Sequence, residues 1–494
     1  MDDRAATGQR GTARETFHIV SDRPVIRPAA PGWKPQTLGT MIPAISGPGR
    51  GEQNKPVSVA KHNAGAGSPV RTFLFLQGLA SPFFSDLART LASRGHEVRR
   101  INISLGDELF WRLPATNYRG SLSNWRAFLA AFLSRETVTD IVLFGDCRPY
   151  HRVAISLAAH RRIQVHVCEE GYLRPHWITI ERGGVNGYSS LPRDPDLIKT
   201  LAAGLPEPAM EEFAGSFVRR AVWDVSYNVA NMLGRPIYLG YRRHRPNHVL
   251  WEYAGWLKRF ARAKRTAAHA EGEIAKTLAN AGGFYLVPLQ LDSDYQIRVH
   301  SDYAVLGEFL DEVFASFARH APPETDLLVK VHPLDNGLID RRAQVRDLAA
   351  KHGIPGRVRA VDGGHLPTLV AQCRGVVVVN STVGIGSIEY GRATIALGTF
   401  IYNIPGLAYR GSLDRFWTEL TPPDPELVAA FRKLLLHRTQ VNGGFFCAHG
   451  VSLAVKNAAE RLEAEEPLVT YRQAGGAESA LMRSDIYGRP LPAE

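Results

Sequence analysis

The sequence predicts an α/β chain of two Rossmann-like domains with a helical insertion between them, on three observations. From residue 72 onward, short apolar runs alternate with segments of helical period. The alternation breaks between about 205 and 282, and it resumes after Gly282-Gly283. Strands that alternate with helices pair through crossovers, which places parallel sheets beneath helices on both faces.

Residues 1–70 come first and differ from the rest. Stretches such as PAAPGWKPQ and SGPGRGEQNK are rich in Gly, Pro, Arg and small polar residues. Such a segment buries too little apolar surface to offset its ordering entropy, so a disordered or loosely attached tail is expected. Order begins at TFLFLQG, residues 72–78, an apolar run closed by glycine and followed by a helical pattern ending at Arg94-Gly95-His96. Further strands are expected at 97–103, 141–145 and 164–168, which makes 71–204 the first domain. The segment 205–282 carries Trp, Tyr, Arg and Lys in long helical patterns. Strands at 284–288, 326–331, 357–361, 375–380 and 394–397 define a second domain, 283–424, and helices and a polar tail fill 425–494.

With 494 residues and 45% hydrophobic content, the chain has material for two sizeable cores. Its formal net charge of +11 calls for an anionic partner: nucleic acid, an anionic membrane leaflet or a phosphorylated substrate. The arginines lack the aromatic interleaving or helix-turn-helix context of a nucleic-acid binder, so no nucleic-acid partner is expected. Cys147, Cys168, Cys373 and Cys447 stand far apart, without CxxC or zinc spacing, and are expected to be reduced thiols. No stretch reaches the roughly 20 apolar residues of a spanning helix, and the N-terminus lacks an apolar signal region, so a cytoplasmic protein is expected.

Ligands of open α/β sheets bind at the carboxyl ends of strands, and five polar clusters follow predicted strands. Gln290-Leu291-Asp292-Ser293-Asp294 offers carboxylates for nucleophilic or base chemistry, or simply a helix cap. Lys330-Val331-His332-Pro333 holds a histidine at a strand end, where it either meets a phosphate, acts as an acid, or caps a turn. Asn380-Ser381-Thr382 leads into a glycine-containing helix that ends near Glu389; it suits an anion, and its glycines equally suit close helix–sheet packing. Glu169-Glu170-Gly171-Tyr172-Leu173-Arg174 and Gly145-Asp146-Cys147 complete the set, with Asp146 a candidate base or acceptor-positioning group.

In the order of these five clusters, over roughly residues 72–420, the chain resembles the capsule polysaccharide biosynthesis and export family, in its KpsS/LipB branch. The resemblance implies a GT-B-like arrangement and a retaining transfer of β-linked Kdo (3-deoxy-D-manno-octulosonic acid). The implied donor is CMP-β-Kdo, held by the second domain, and the implied acceptor, on the side of the first, is a phosphatidylglycerol-type lipid. It places the chain on the inner face of the cytoplasmic membrane, with other capsule assembly proteins as possible partners. It implies Asp294 as the carboxylate that forms a glycosyl adduct, with Glu170, Asp146 and His332 as further catalytic residues. Donor binding then falls to Gln290, Lys330, His332, Pro333, Asn380, Ser381, Thr382, Glu389 and Arg174, with neither cofactor nor metal expected. Where the family often has Gln-Pro, this chain has Gln290-Leu291. A transferase of another nucleotide sugar and a non-catalytic export factor are the alternatives.

The basic aromatic segment at 217–265, with Arg219, Arg220, Trp223, Tyr238, Tyr241, Arg242, Arg243, Arg245, Trp251 and Arg259 among its residues, is expected either to form solvated helices with core tryptophans or to meet an anionic membrane surface.

Overall fold

The computed structural model describes residues 69–243, 249–292 and 294–464. The expected N-terminal tail, apart from its last two residues, Arg245 and the polar tail after 464 lie outside the described residues.

Two sheets organise the chain. The first contains β1 (Thr72–Phe75), β2 (Glu97–Asn102), β3 (Thr116–Asn117), β4 (Asp140–Phe144), β5 (Gln164–Glu170), β6 (Trp177–Arg182) and β12 (Gln440–Asn442), in the order β12-β6-β5-β4-β1-β2-β3. The second contains β7 (Phe284–Pro288), β8 (Asp326–Lys330), β9 (Val358–Val361), β10 (Gly375–Val378) and β11 (Ala393–Ala396), in the order β11-β10-β7-β8-β9, parallel throughout. Every strand expected from the sequence forms, and the α/β expectation holds.

Both strands and burial follow from alternation. In β1, Phe73 and Phe75 pack with Val142 and Cys168 under the helices Phe83–Ser93 and Ala448–Glu463, while Leu74 and Leu76 point the other way, towards Trp125, Leu129 and Phe132. In the second sheet, Phe284, Leu286, Val376 and Val378 line one core, and Tyr285, Val287, Val377 and Val379 line the other. Apolar runs without polar interruption are what a strand buried on both faces requires. Each fully buried Phe, Leu or Val contributes about 1.5–3 kcal/mol through removal of its surface from water.

Three strands were not anticipated, and two of them make the first sheet mixed rather than wholly parallel. Only residues 171–176 separate β5 from β6, far short of the dozen or so that a parallel crossover needs, so β6 runs antiparallel to β5. The segment taken for C-terminal helices and tail supplies β12, which returns to pair antiparallel with β6. There the Gln440 side chain accepts the Tyr172 backbone N–H (3.0 Å), tying the β5–β6 turn to a residue 268 positions away. All four cysteines are free thiols, three of them buried.

In each sheet the chain starts in the interior, builds outward on one side, then crosses to the other. That reversal leaves a crevice at the carboxyl ends between β1 and β4 in the first sheet, and between β7 and β10 in the second.

Two glycines give a direct check of this packing. A β-carbon on Gly171, in the β5–β6 turn, would stand 2.1 Å from the Trp177 carbonyl oxygen, whereas one on Gly386, in the helix Val383–Glu389, meets nothing within 4 Å. Gly171→Ala is expected to lower unfolding stability by roughly 1–3 kcal/mol, because backbone must move. Gly386→Ala is expected to leave it unchanged or raise it by up to about 1 kcal/mol. Urea denaturation of both variants reads the difference; equal midpoints would contradict this turn geometry.

Candidate functional site

The second sheet's crevice is bridged by side chains that leave β7 and β10. Gln290 Nε2 donates to Asn380 Oδ1 (2.9 Å), and the Asn380 backbone N–H donates to Gln290 Oε1 (3.3 Å). Asn380 Nδ2 donates to the Gln296 carbonyl (2.7 Å), so this buried amide pair fixes the loop carrying Asp294. Asp294 caps the helix Tyr295–His300: its Oδ1 accepts from Gln296 N–H (2.9 Å), and its Oδ2 lies 3.4 Å from Gln290 Nε2. The cap reading and the site reading of Asp294 are therefore both satisfied. Burial holds its carboxyl above the ordinary range, against the pull of the Gln296 N–H, the Gln290 amide and Arg174.

Asp292, two residues earlier, goes elsewhere. It pairs with Arg341 and accepts the Leu306 N–H (3.3 Å), so Asp292 and Asp294 are held by separate partners.

The first sheet brings its own acids to the same place. Side chains alternate along β5, so Glu169 and Glu170 leave on opposite faces. Glu169 accepts from Asn186 Nδ2 (3.2 Å) and lies 3.4 Å from Gln296 Nε2, so Gln296 touches both Glu169 and Asp294. The Gln296 Oε1 atom is buried without a hydrogen-bond partner among the described residues. Burial and the carboxyl of Asp146, with Asp294 adding to them, push Glu169 up to about 8, against the Asn186 amide. Asp146 is fully buried at the first crevice, accepting from Val185 N–H (3.0 Å) and from the Cys147 thiol (3.1 Å), and burial raises it as well.

Glu170 faces cations. It pairs with Arg220 (2.6 Å) and Arg174 (3.1 Å); burial pushes its carboxyl up, but these two arginines outweigh that and hold it below the usual range. His332 belongs to the same electrostatic neighbourhood. Burial, then Arg174 and Arg259, hold His332 down to about 4, with Glu170 opposing. Its Nδ1 accepts the Leu334 N–H (3.0 Å), which puts the neutral ring's proton on Nε2, an atom with no protein partner among the described residues.

Not every expected residue joins this group. Lys330 donates to the Gly363 carbonyl (2.6 Å). Glu389, at the far end of its helix, pairs with Arg432 (3.1 Å). Ser381 Oγ accepts from Val383 N–H (3.2 Å), Thr382 precedes the same helix, and Pro333 is exposed beside His332. Of the two motif glycines, Gly384 sits against Tyr402, where a β-carbon would clash at 2.1 Å, so close packing accounts for it.

Glu169, Gln296 and Arg220 were missed as site residues. Glu169 was legible as one of two adjacent acids, but only strand register tells which face each takes. Arg220 read as a surface charge; its guanidinium is in fact spent on Glu170. As potential metal ligands, the described residues bring together Asp146, Cys147 and His300, whose donor atoms lie within 4.8 Å of one another, all buried.

Comparison with known proteins follows this geometry. Residues 139–446 match the family described as capsule polysaccharide biosynthesis protein. The chain is 34% identical over 379 residues to the capsule polysaccharide export protein KpsS of Escherichia coli, covering 76% of this chain and 97% of that one. It is 33% identical over 391 residues to the capsule polysaccharide modification protein LipB of Neisseria meningitidis serogroup A, covering 76% and 91%. Among solved structures, Thermosulfurimonas dismutans KpsC, a beta Kdo 2,7 transferase, aligns at 13% identity with a TM-score of 0.35, over 79% of this chain and 99% of that one. On the family match and these sequence relatives, the chain belongs to the capsule polysaccharide biosynthesis protein family.

Proposed function

We propose that the chain is a retaining glycosyltransferase that moves Kdo from CMP-β-Kdo onto a phosphatidylglycerol-type lipid. Family membership supports the polysaccharide setting. The observation that carries the chemistry is Gln296, whose backbone N–H holds Asp294 and whose side chain reaches Glu169. A nucleophile and a proton carrier from two sheets thereby meet across one residue.

Retention requires two displacements. In the first, an Asp294 carboxylate oxygen attacks the anomeric carbon and the bond to the CMP phosphate breaks. The phosphate leaves with its charge, met by Nε2–H of His332 and by Arg174. In the second, the acceptor hydroxyl oxygen attacks the same carbon, the bond to Asp294 breaks, and the hydroxyl proton passes to Glu169. A carboxylate titrating near neutrality suits that task better than one near 4. Gln290 and Asn380 act by positioning Asp294. No step calls on a metal or cofactor.

Because Asp294 also caps a helix, alanine would mix a stability loss into the result. Asp294→Asn keeps a capping oxygen and removes the nucleophile. Its melting temperature is expected to match wild type while transfer falls by at least about a thousandfold. Retention of a tenth of wild-type transfer from CMP-Kdo to a phosphatidylglycerol analogue, read by product mass, would sink the nucleophile role.

For Glu169, the wild-type turnover is expected to fall with decreasing pH through about 8 as the base takes up its proton. Glu169→Gln should lose that limb and run slower throughout. Since the folded-state value lies above that of the unfolded chain, ionising Glu169 costs the fold stability as pH rises from about 4.5 to about 8. Glu169→Gln should therefore match wild type at pH 4 and exceed it in stability at pH 9. Unchanged pH profiles for both rate and stability would remove Glu169 from the mechanism.

His332→Ala is expected to weaken CMP binding several-fold, corresponding to a neutral hydrogen bond of about 0.5–1.5 kcal/mol. Titration calorimetry at pH 7.5 checks it, and equal affinity would leave His332 as a turn cap alone.

A further inference from the structure

The helix Phe217–Leu233 is turned inside out. Its polar residues face the protein. Arg220 pairs with Glu170 (2.6 Å), Tyr227 donates to Asp107 (3.1 Å), Asn228 is buried, and Asn231 accepts the Gly106 N–H (2.7 Å). The opposite face holds Val218, Val222, Val225, Val229 and Met232, spaced by three and four residues and therefore on one stripe. All five are exposed, Val218 to 72%. The apolar surface continues to the helix end and beyond: Leu233, its last residue, is 67% exposed, and Ile237 and Leu239, in the following turn, are 46% and 82% exposed.

A soluble surface helix keeps its apolar stripe inward. Here the inward face combines these polar contacts with the packing of Trp223 and Tyr227 on Phe110, while a second, apolar stripe faces outward, so the outside neighbour is apolar too. Charge names that neighbour further. Residues 216–243 hold five arginines and one aspartate. Among the arginines, Arg219 and Arg235 are exposed beside the stripe. A second copy of the chain would set arginine against arginine, whereas an anionic lipid surface complements both the stripe and its flanks.

We propose that the outer face of Phe217–Leu233, extended by Ile237 and Leu239, lies in the interface of an anionic bilayer. This deepens the lipid-acceptor reading given above. It differs from the sequence expectation in assigning the membrane contact to valines, methionine and leucine. Several of the basic and aromatic residues expected there turn inward instead. Tyr238 is buried against Glu108, Tyr241 meets Gln77 (3.1 Å), and Arg259 pairs with Asp362 (2.5 Å). The arrangement sets Glu170 one helix thickness, about 10 Å, from the bilayer surface. A lipid headgroup can reach it without leaving the membrane.

The test is flotation of the full chain with vesicles of phosphatidylglycerol and phosphatidylcholine, and of phosphatidylcholine alone. Wild type is expected to float with the anionic vesicles, and less so at high salt. Val222→Ser/Val225→Ser/Val229→Ser should reduce binding at least tenfold, with melting temperature and CMP affinity unchanged because these side chains touch neither core nor site. Arg219→Gln/Arg235→Gln should reduce binding to anionic vesicles alone. Equal flotation of the serine variant and wild type overturns the proposal, as does a wild-type dimer that becomes monomeric in that variant with vesicle binding intact. Vesicle binding does not depend on sugar transfer. Failure of the wild type to float, alongside transfer to a water-soluble acceptor that Asp294→Asn abolishes, would refute this surface and leave the transferase reading standing.

Discussion

Burial raises the proton affinity of Asp146, Glu169 and Asp294, and the charges of Asp146 and Asp294 raise that of Glu169 further. Charges on Asp146 and Asp294 therefore disfavour a third charge on Glu169, which keeps its proton up to about 8. The fold organises itself around that constraint. Asp146 comes from the turn after β4, Glu169 from β5 and Asp294 from the loop after β7, so the acids of both sheets converge. The polar contacts around them, from Val185 N–H to Asn186 and Gln296, moderate the repulsion without cancelling it.

The opposite face of β5 has the reverse arrangement. Glu170 there is surrounded by Arg174 and Arg220 and lies near His332, so an anion entering this side meets guanidinium groups and a neutral imidazole N–H. One strand thus separates a wall of buried carboxyls from a wall where arginines surround Glu170. The tether from Arg220 to Glu170 further links the second wall to the helix Phe217–Leu233.

Much of this was legible in the sequence, for physical reasons that also explain what was not. Buried parallel strands must be apolar on both faces, so runs such as Phe73–Phe75 and Val376–Val379 announce themselves, and the residues after them fall at the crevices. Gln290, Asp294, Asn380, His332, Glu170 and Arg174 were singled out this way, and each stands at or just beyond a strand end. β3, with two residues, and β12, with three, carry too little pattern to be read, and β12 forms only because β6 offers an edge. Periodicity also shows that a helix has two faces without saying which is inside. For Phe217–Leu233 an apolar stripe faces outward, and only the contacts of Arg220, Tyr227 and Asn231 reveal it.

The late arrival of β12 has a consequence for the order in which the molecule is made. Gln440 pairs with Thr179 across 261 positions of chain, so the outer edge of β6 is unpaired until residue 440 has been made. At about 5–20 residues per second, that edge waits roughly 13–50 s on the ribosome. During that interval Trp177, Ile178 and Ile180 present an open, apolar strand edge that invites pairing with other chains. The helix Ala448–Glu463 then closes over the same sheet, packing against Phe83–Ser93. The first half of the chain is therefore the last to be completed, and truncation before residue 440 would leave it permanently unfinished.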